Sequence, residues 1–90
     1  MILQEEKQHA IEKLTELKNS VPEFTFFGEP RHQAIQAQIR VINEDLDEED
    51  IIDQWGEEIT ENNQINYITR EALEALEYLN KEIELSDLID

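Results

Sequence analysis

Cysteine is absent from this chain of 90 residues, and glycine and proline occur only twice each. The first absence excludes disulfides, thiol redox chemistry, thiolate zinc sites and iron–sulfur clusters. The second leaves few tight turns and points to long regular elements, helices rather than a strand meander. Basic residues are also scarce: 7 Lys and Arg stand against 23 Asp and Glu, for a formal charge of −16 at pH 7. Binding to nucleic-acid phosphates or to an anionic membrane needs a basic patch that releases counterions, and this chain has too few cations to build a large one. No uninterrupted apolar run exceeds three residues, so no segment is long enough to span a bilayer and no signal-peptide core follows Met1. The expectation is a soluble, cytoplasmic protein with no membrane and no direct nucleic-acid partner.

What is present is apolar residue in periodic order. Hydrophobic content is 39%, including 12 Ile and 9 Leu, enough for one small core and one domain. Leu3, Ala10, Leu14, Leu17 and Val21 fall on one helical stripe, with Lys7 in the missing position, and predict a helix over 3–19. Asn19-Ser20-Val21-Pro22 ends it, because the residue before a proline is pushed out of the helical region. Phe24-Thr25-Phe26-Phe27-Gly28 continues neither neighbouring pattern. It reads as an extended connector whose rings plug the core.

Pro30 suits the first position of a second helix. Ile35, Ile39, Ile42 and Leu46 form its stripe, flanked by Ala34, Ala37 and Val41, which predicts a helix over 30–46 placed centrally in a bundle. Asp47 is a plausible N-cap for a third helix over 47–55, with Ile51, Ile52 and Trp55 as its buried face and Gly56 as its terminator. Ile65, Ile68, Ala72, Leu76, Leu79 and Ile83 keep one face of a helix over 63–83, unless Thr69 caps a shorter one starting at Arg70. Leu85, Leu88 and Ile89 follow in an acidic tail, 84–90, either flexible, docked on the body or mediating self-association. The fold class is therefore all-α, a small bundle of three to four helices with an aromatic-rich connector between the first two.

The acids are unevenly placed. Between Arg40 and Arg70 there is no basic residue, while Glu44, Asp45, Asp47, Glu48, Glu49, Asp50, Asp53, Glu57, Glu58 and Glu61 supply ten negative charges. Helical residues three and four apart are neighbours, so Glu44 with Glu48 and Glu71 with Glu74 can set carboxylates in register. Were residues 44–61 one helix, they would span about 27 Å at roughly 1.5 Å per residue. That is one charge per about 2.7 Å, close to the roughly 3.4 Å of a single DNA strand. Asp47 to Asp50 are equally explained as acids that complement the dipole of a helix start. Dipole complementation leaves the absence of any compensating base unexplained, and solvated acidic faces also serve solubility.

Other chemistry fares worse. Asp45, Asp47 and Glu49 alternate as in a calcium loop, but its sixth position needs Gly and holds Asp50, and its twelfth needs Glu and holds Gly56. His9 and His32 belong to no metal or catalytic pattern, and Ser20 and Ser86 lie in no nucleophile elbow. No catalytic residue, metal site or cofactor is assigned. Trp55 sits inside the acidic belt, where an indole ringed by carboxylates would anchor a partner unless it is buried with Ile51 and Ile52.

Phe26-Phe27-Gly28, the run Ala34 to Ile39, the acid-rich Asp47 to Trp55 and the closing Ala72 to Asn80 resemble a group of short acidic reading frames of phages and prophages, over about residues 10–82. The resemblance implies a setting in which small accessory proteins inhibit or modulate host nucleic-acid machinery. The expected function is accordingly a non-enzymatic binding protein. Its acidic surface, formed by Glu44, Asp45, Glu48, Glu49, Asp53, Glu57, Glu58 and Glu61 with Trp55 as a candidate aromatic anchor, would engage a basic site on a partner such as a nucleic-acid-binding protein, in one form as a DNA mimic. The alternative is a small structural or adaptor protein that acts through apolar contacts as a homodimer or complex subunit.

Overall fold

Five helices account for the regular structure of the computed structural model, which describes residues 2–58 and 66–89, and no strand occurs among the described residues. They are α1 Gln4–Ser20, α2 Arg31–Glu44, α3 Glu48–Trp55, α4 Tyr67–Leu79 and α5 Leu85–Ile89. The all-α class expected from the spacing is observed, with one short helix more than expected. No helix among the described residues is long and apolar enough to cross a membrane.

The starts of α1 to α4 are explained locally. Leu3 precedes α1 and has no side-chain acceptor, so the Glu6 carboxylate takes the Leu3 N–H at 3.2 Å. Pro30 stands just before α2, one position earlier than expected, and its carbonyl accepts from the Ala34 N–H at 3.0 Å. Asp47 caps α3 as expected: it accepts from the Asp50 N–H at 2.9 Å, and the Asp50 carboxylate accepts from the Asp47 N–H at 3.2 Å, a reciprocal capping box. Asn66 caps α4 through the Thr69 N–H at 3.2 Å. Ile65 and the expected start at residue 63 lie outside the described residues. Thr69 is three residues into α4, so it is not a cap.

Two helices end earlier than their stripes, for one physical reason. After α2, Asp45 takes a left-handed φ of 53° and the Leu46 N–H reaches back to the Val41 carbonyl at 3.1 Å. After α4, Lys81 has φ 61°, its N–H reaches Tyr78 and the Glu82 N–H reaches Glu77. Both are left-handed terminations of the kind glycine usually makes, built here on non-glycine residues. The helix predicted over 63–83 therefore stops at Leu79, and Ile83 packs back on the core from outside it. Glu44 and Glu48 are likewise separated by a break, so the belt 44–61 is not one continuous helical rod.

The core lies on α2, which packs against α1 on one side and α4 on the other. Ala34, Ala37, Val41 and Ile42 of α2 are buried, as are Ala10 and Leu14 of α1, Ile51 of α3, and Ala72, Ala75, Tyr78 and Leu79 of α4. Alanines on both sides of the α2–α4 contact let the two axes approach closely. The buried Gln38 donates to the Glu71 carbonyl at 3.0 Å, and Tyr78 donates to the Glu6 carbonyl at 3.1 Å, tying α4 to α1. Leu88 of α5 is buried, so the acidic tail segment docks on the body over its described residues. The three phenylalanines do the opposite of what was expected. Phe24, Phe26 and Phe27 are 50%, 97% and 84% exposed and do not plug the core.

Leu14, with no exposed surface, is the sharpest test of this packing. Leu14→Ala is expected to cost about 2–5 kcal/mol, read as a lowered urea midpoint. Phe26→Ser should stay within about 0.5 kcal/mol of the parent, as substitutions at solvated positions do.

Candidate functional site

The acidic belt is held by a clamp between the end of α3 and the start of α4. Gly56 ends α3 at φ 93°, its N–H bonded to the Ile52 carbonyl at 2.7 Å. The fully buried Thr69 donates to the Gly56 carbonyl at 2.7 Å, and Asn66 donates to the Trp55 carbonyl at 2.8 Å while it caps α4. A Cβ at Gly56 would meet Asn66 Nδ2 at 3.4 Å and would also have to adopt that positive φ. The clamp fixes the roll of α3: Ile51 faces the core, and Glu48, Glu49 and Asp53 are exposed.

The structure divides the predicted surface residues into two groups. Glu44 is bonded by Arg40 Nε at 3.0 Å, and Asp45 is paired with Lys7, so the first two acids of the belt are locally compensated. None of the ion pairs among the described residues involves Glu48, Glu49, Asp53, Glu57 or Glu58. Glu48, Glu49 and Asp53 rim a shallow groove of about 370 Å³ with the half-buried Ile52 at its base. Glu57 is exposed, Glu58 is half-buried, and Glu61 lies outside the described residues. Trp55 is half-buried against the core, with the Arg40 guanidinium 5.4 Å from its ring centroid. One face of the indole is thus taken by Arg40, which also holds Glu44. Among the described residues no group of three or more His, Asp or Glu side chains is placed to hold a metal ion.

The second expected carboxylate pair does come together. Burial first, then a side-chain hydrogen bond and charge repulsion from Glu71, push Glu74 up from 4.5 to about 8. Burial and the neighbouring Glu71 also raise Tyr67, and burial and Glu6 raise Tyr78. Spacing foretold the Glu71–Glu74 contact. The desolvation of Glu74 it could not foretell, because that depends on how α4 packs. Comparison of the chain with protein-family models, with curated proteins and with solved structures found no match.

The Glu74 shift sets a pH dependence. The folded chain binds this proton more tightly than the unfolded chain, so stability from this group is complete below about pH 4.5 and is lost as the pH rises to about 8. Glu74→Gln is expected to flatten that loss, so that the variant exceeds the parent in urea midpoint at pH 9 and matches it more nearly at pH 4. Parallel curves for the two proteins would contradict the assignment.

Proposed function

We propose that this chain is a non-enzymatic binding protein whose acidic surface engages a basic site on a partner protein. The observation that carries the reading is the outer face of α3. There Glu48, Glu49 and Asp53 surround Ile52 without an ion-pair partner among the described residues. Carboxylates in the first turn stabilise a helix start, which accounts for Glu48 and Glu49 on structural grounds. Asp53 lies beyond that turn, and Glu57 and Glu58 extend the charge past the helix. A half-exposed isoleucine within such a ring offers an apolar contact to a partner already attracted by charge, the arrangement expected of a surface that combines electrostatic steering with a small desolvated centre.

The residues favoured for the contact are therefore Glu48, Glu49, Asp53, Glu57 and Glu58, with Glu44 and Asp45 at the compensated edge. A DNA-mimic form of the reading draws support from spacing. The 8 residues of α3 carry four carboxylates over about 12 Å, or one per about 3 Å, near the roughly 3.4 Å of a DNA strand. The resemblance to short acidic phage frames supports a role in modulating nucleic-acid machinery inside a cell. The exposed phenylalanines favour a second mode, apolar association.

Capture from lysate, purification of the captured protein and titration in increasing salt test the acidic reading. Affinity should fall about tenfold or more between low and high salt, duplex DNA should compete, and Glu48→Gln/Glu49→Gln/Asp53→Asn should bind at least about tenfold more weakly. Salt-insensitive binding, or full affinity in the triple variant, would sink it.

A further inference from the structure

The last helix, α5, is joined to the body differently from the other four. Between those, polar bonds fix the packing: Gln38 joins α2 to α4, Tyr78 joins α4 to α1, and Asn66 and Thr69 join the start of α4 to the end of α3. Even the turn that carries the exposed phenylalanines is tied, because the Thr25 N–H donates to the Glu29 carbonyl at 2.9 Å and the Glu29 N–H returns to Thr25 Oγ1 at 3.0 Å. The bonds of α5 are internal. The Asp87 and Leu88 N–H groups donate to the Glu84 carbonyl at 3.0 and 3.2 Å, and the Glu84 N–H donates to the Asp87 carboxylate at 3.2 Å. Among the described residues no hydrogen bond or ion pair runs from 83–89 to the rest of the chain.

Apolar contact alone holds this segment. Leu88 is buried, and Ile83, Leu85 and Ile89 are half-buried against the core, where α5 meets both α1 and α4. The 5 residues of α5 are too few for a helix to persist in water without such packing, so the segment is helical only while it is docked. Charge acts against the docked position. Glu5 and Glu6 of α1 and Glu84 beside α5 line one surface pocket of about 600 Å³, together with Lys81 and His9. Lys81 Nζ lies 4.0 Å from the Glu6 carboxylate, both side chains exposed, and such a pair contributes little. Glu82 and Asp87 add two exposed carboxylates, so acids outnumber cations there even with the imidazole protonated. None of the ion pairs among the described residues involves Glu5, Glu82, Glu84 or Asp87. Docking therefore sets apolar burial against like-charge repulsion, and dissolved ions screen only the second.

We propose that residues 83–89 form a detachable strap over the flank of α1 and α4, closed where ions screen the acids and released where they do not. Lys81, at φ 61°, is where the chain turns out of α4 and the strap begins. Release opens the pocket, because Ile83 and Leu85 form one of its walls, and exposes Ile2 and Tyr78 opposite. The bond from Tyr78 to the Glu6 carbonyl does not involve the strap, so α1 stays on α4 and the opening is a local event that leaves α2 folded. The strap is independent of the acidic face of α3, and either reading can fail without the other.

Amide hydrogen exchange of the full chain in about 0.01 M and about 1 M sodium chloride, where the Debye length is about 30 and about 3 Å, is the test. Each rate is taken relative to the unfolded chain in the same salt. In low salt the Asp87 and Leu88 amides should be protected at least about tenfold less than the amides of α2. High salt should raise their protection about threefold or more, and Glu5→Gln/Glu84→Gln should produce a similar rise in low salt while removing most of the salt dependence. Leu88→Asp should release the strap in both salts and leave α2 protected. Protection of Asp87 and Leu88 equal to that of α2, protection that does not rise with salt, no rise in the neutralised variant, or loss of α2 protection in Leu88→Asp would overturn the proposal.

Discussion

Burial of α2 on two sides is the constraint on which the other elements depend. Ala34, Ala37, Val41 and Ile42 give this helix a face too wide for one neighbour, and only α1 and α4 together cover it. Because the covering side chains on α4 at Ala72 and Ala75 are equally small, the two backbones come close enough for Gln38 to reach the Glu71 carbonyl. A polar side chain in the core of a small protein carries a desolvation cost that its hydrogen bond offsets. Here the bond joins α2 to α4 in the register at which Ala34 and Ala37 pack against Ala72 and Ala75.

That register places everything on the surface. It sets the start of α4 beside the end of α3, where Asn66 and Thr69 take up the Trp55 and Gly56 carbonyls that would otherwise be left unbonded at the helix end. The acidic face of α3 is therefore an exposed consequence of buried polar bonds. It sets the other end of α4 beside the start of α1, where Tyr78 donates to the Glu6 carbonyl. Both contacts lie within a bundle whose radius of gyration is 12.6 Å.

Much of this was legible from residue spacing, and the misses share a cause. The stripes at Leu3 to Leu17, at Ile35 to Ile42 and at Ile51 to Trp55 located three helices because each had to bury one face. Asp47 and Gly56 marked the ends of the third, because capping chemistry is local. The ends of α2 and α4 were hidden, since Asp45 and Lys81 make left-handed turns that sequence readers look for at glycine. The apolar residues that follow, Leu46 and Ile83, continue the stripe in register by folding back on the core. The phenylalanines were misplaced because hydrophobicity alone was read there, while the Thr25 to Glu29 bonds that hold the rings outward depend on backbone geometry. At the acidic face the excess charge was visible from the start. Which carboxylates Arg40 and Lys7 would neutralise was not, because those contacts follow from tertiary packing.

Glu74 gives the folding reaction itself a proton stoichiometry. With its carboxyl raised by burial and by Glu71, the native chain near neutral pH retains proton that the unfolded chain releases, so its charge is less negative than the formal −16. The heat measured on unfolding then contains the ionisation enthalpy of whatever buffer takes up that proton. Calorimetric enthalpies collected in phosphate and in an amine buffer belong to different overall reactions, although the protein undergoes the same transition in both.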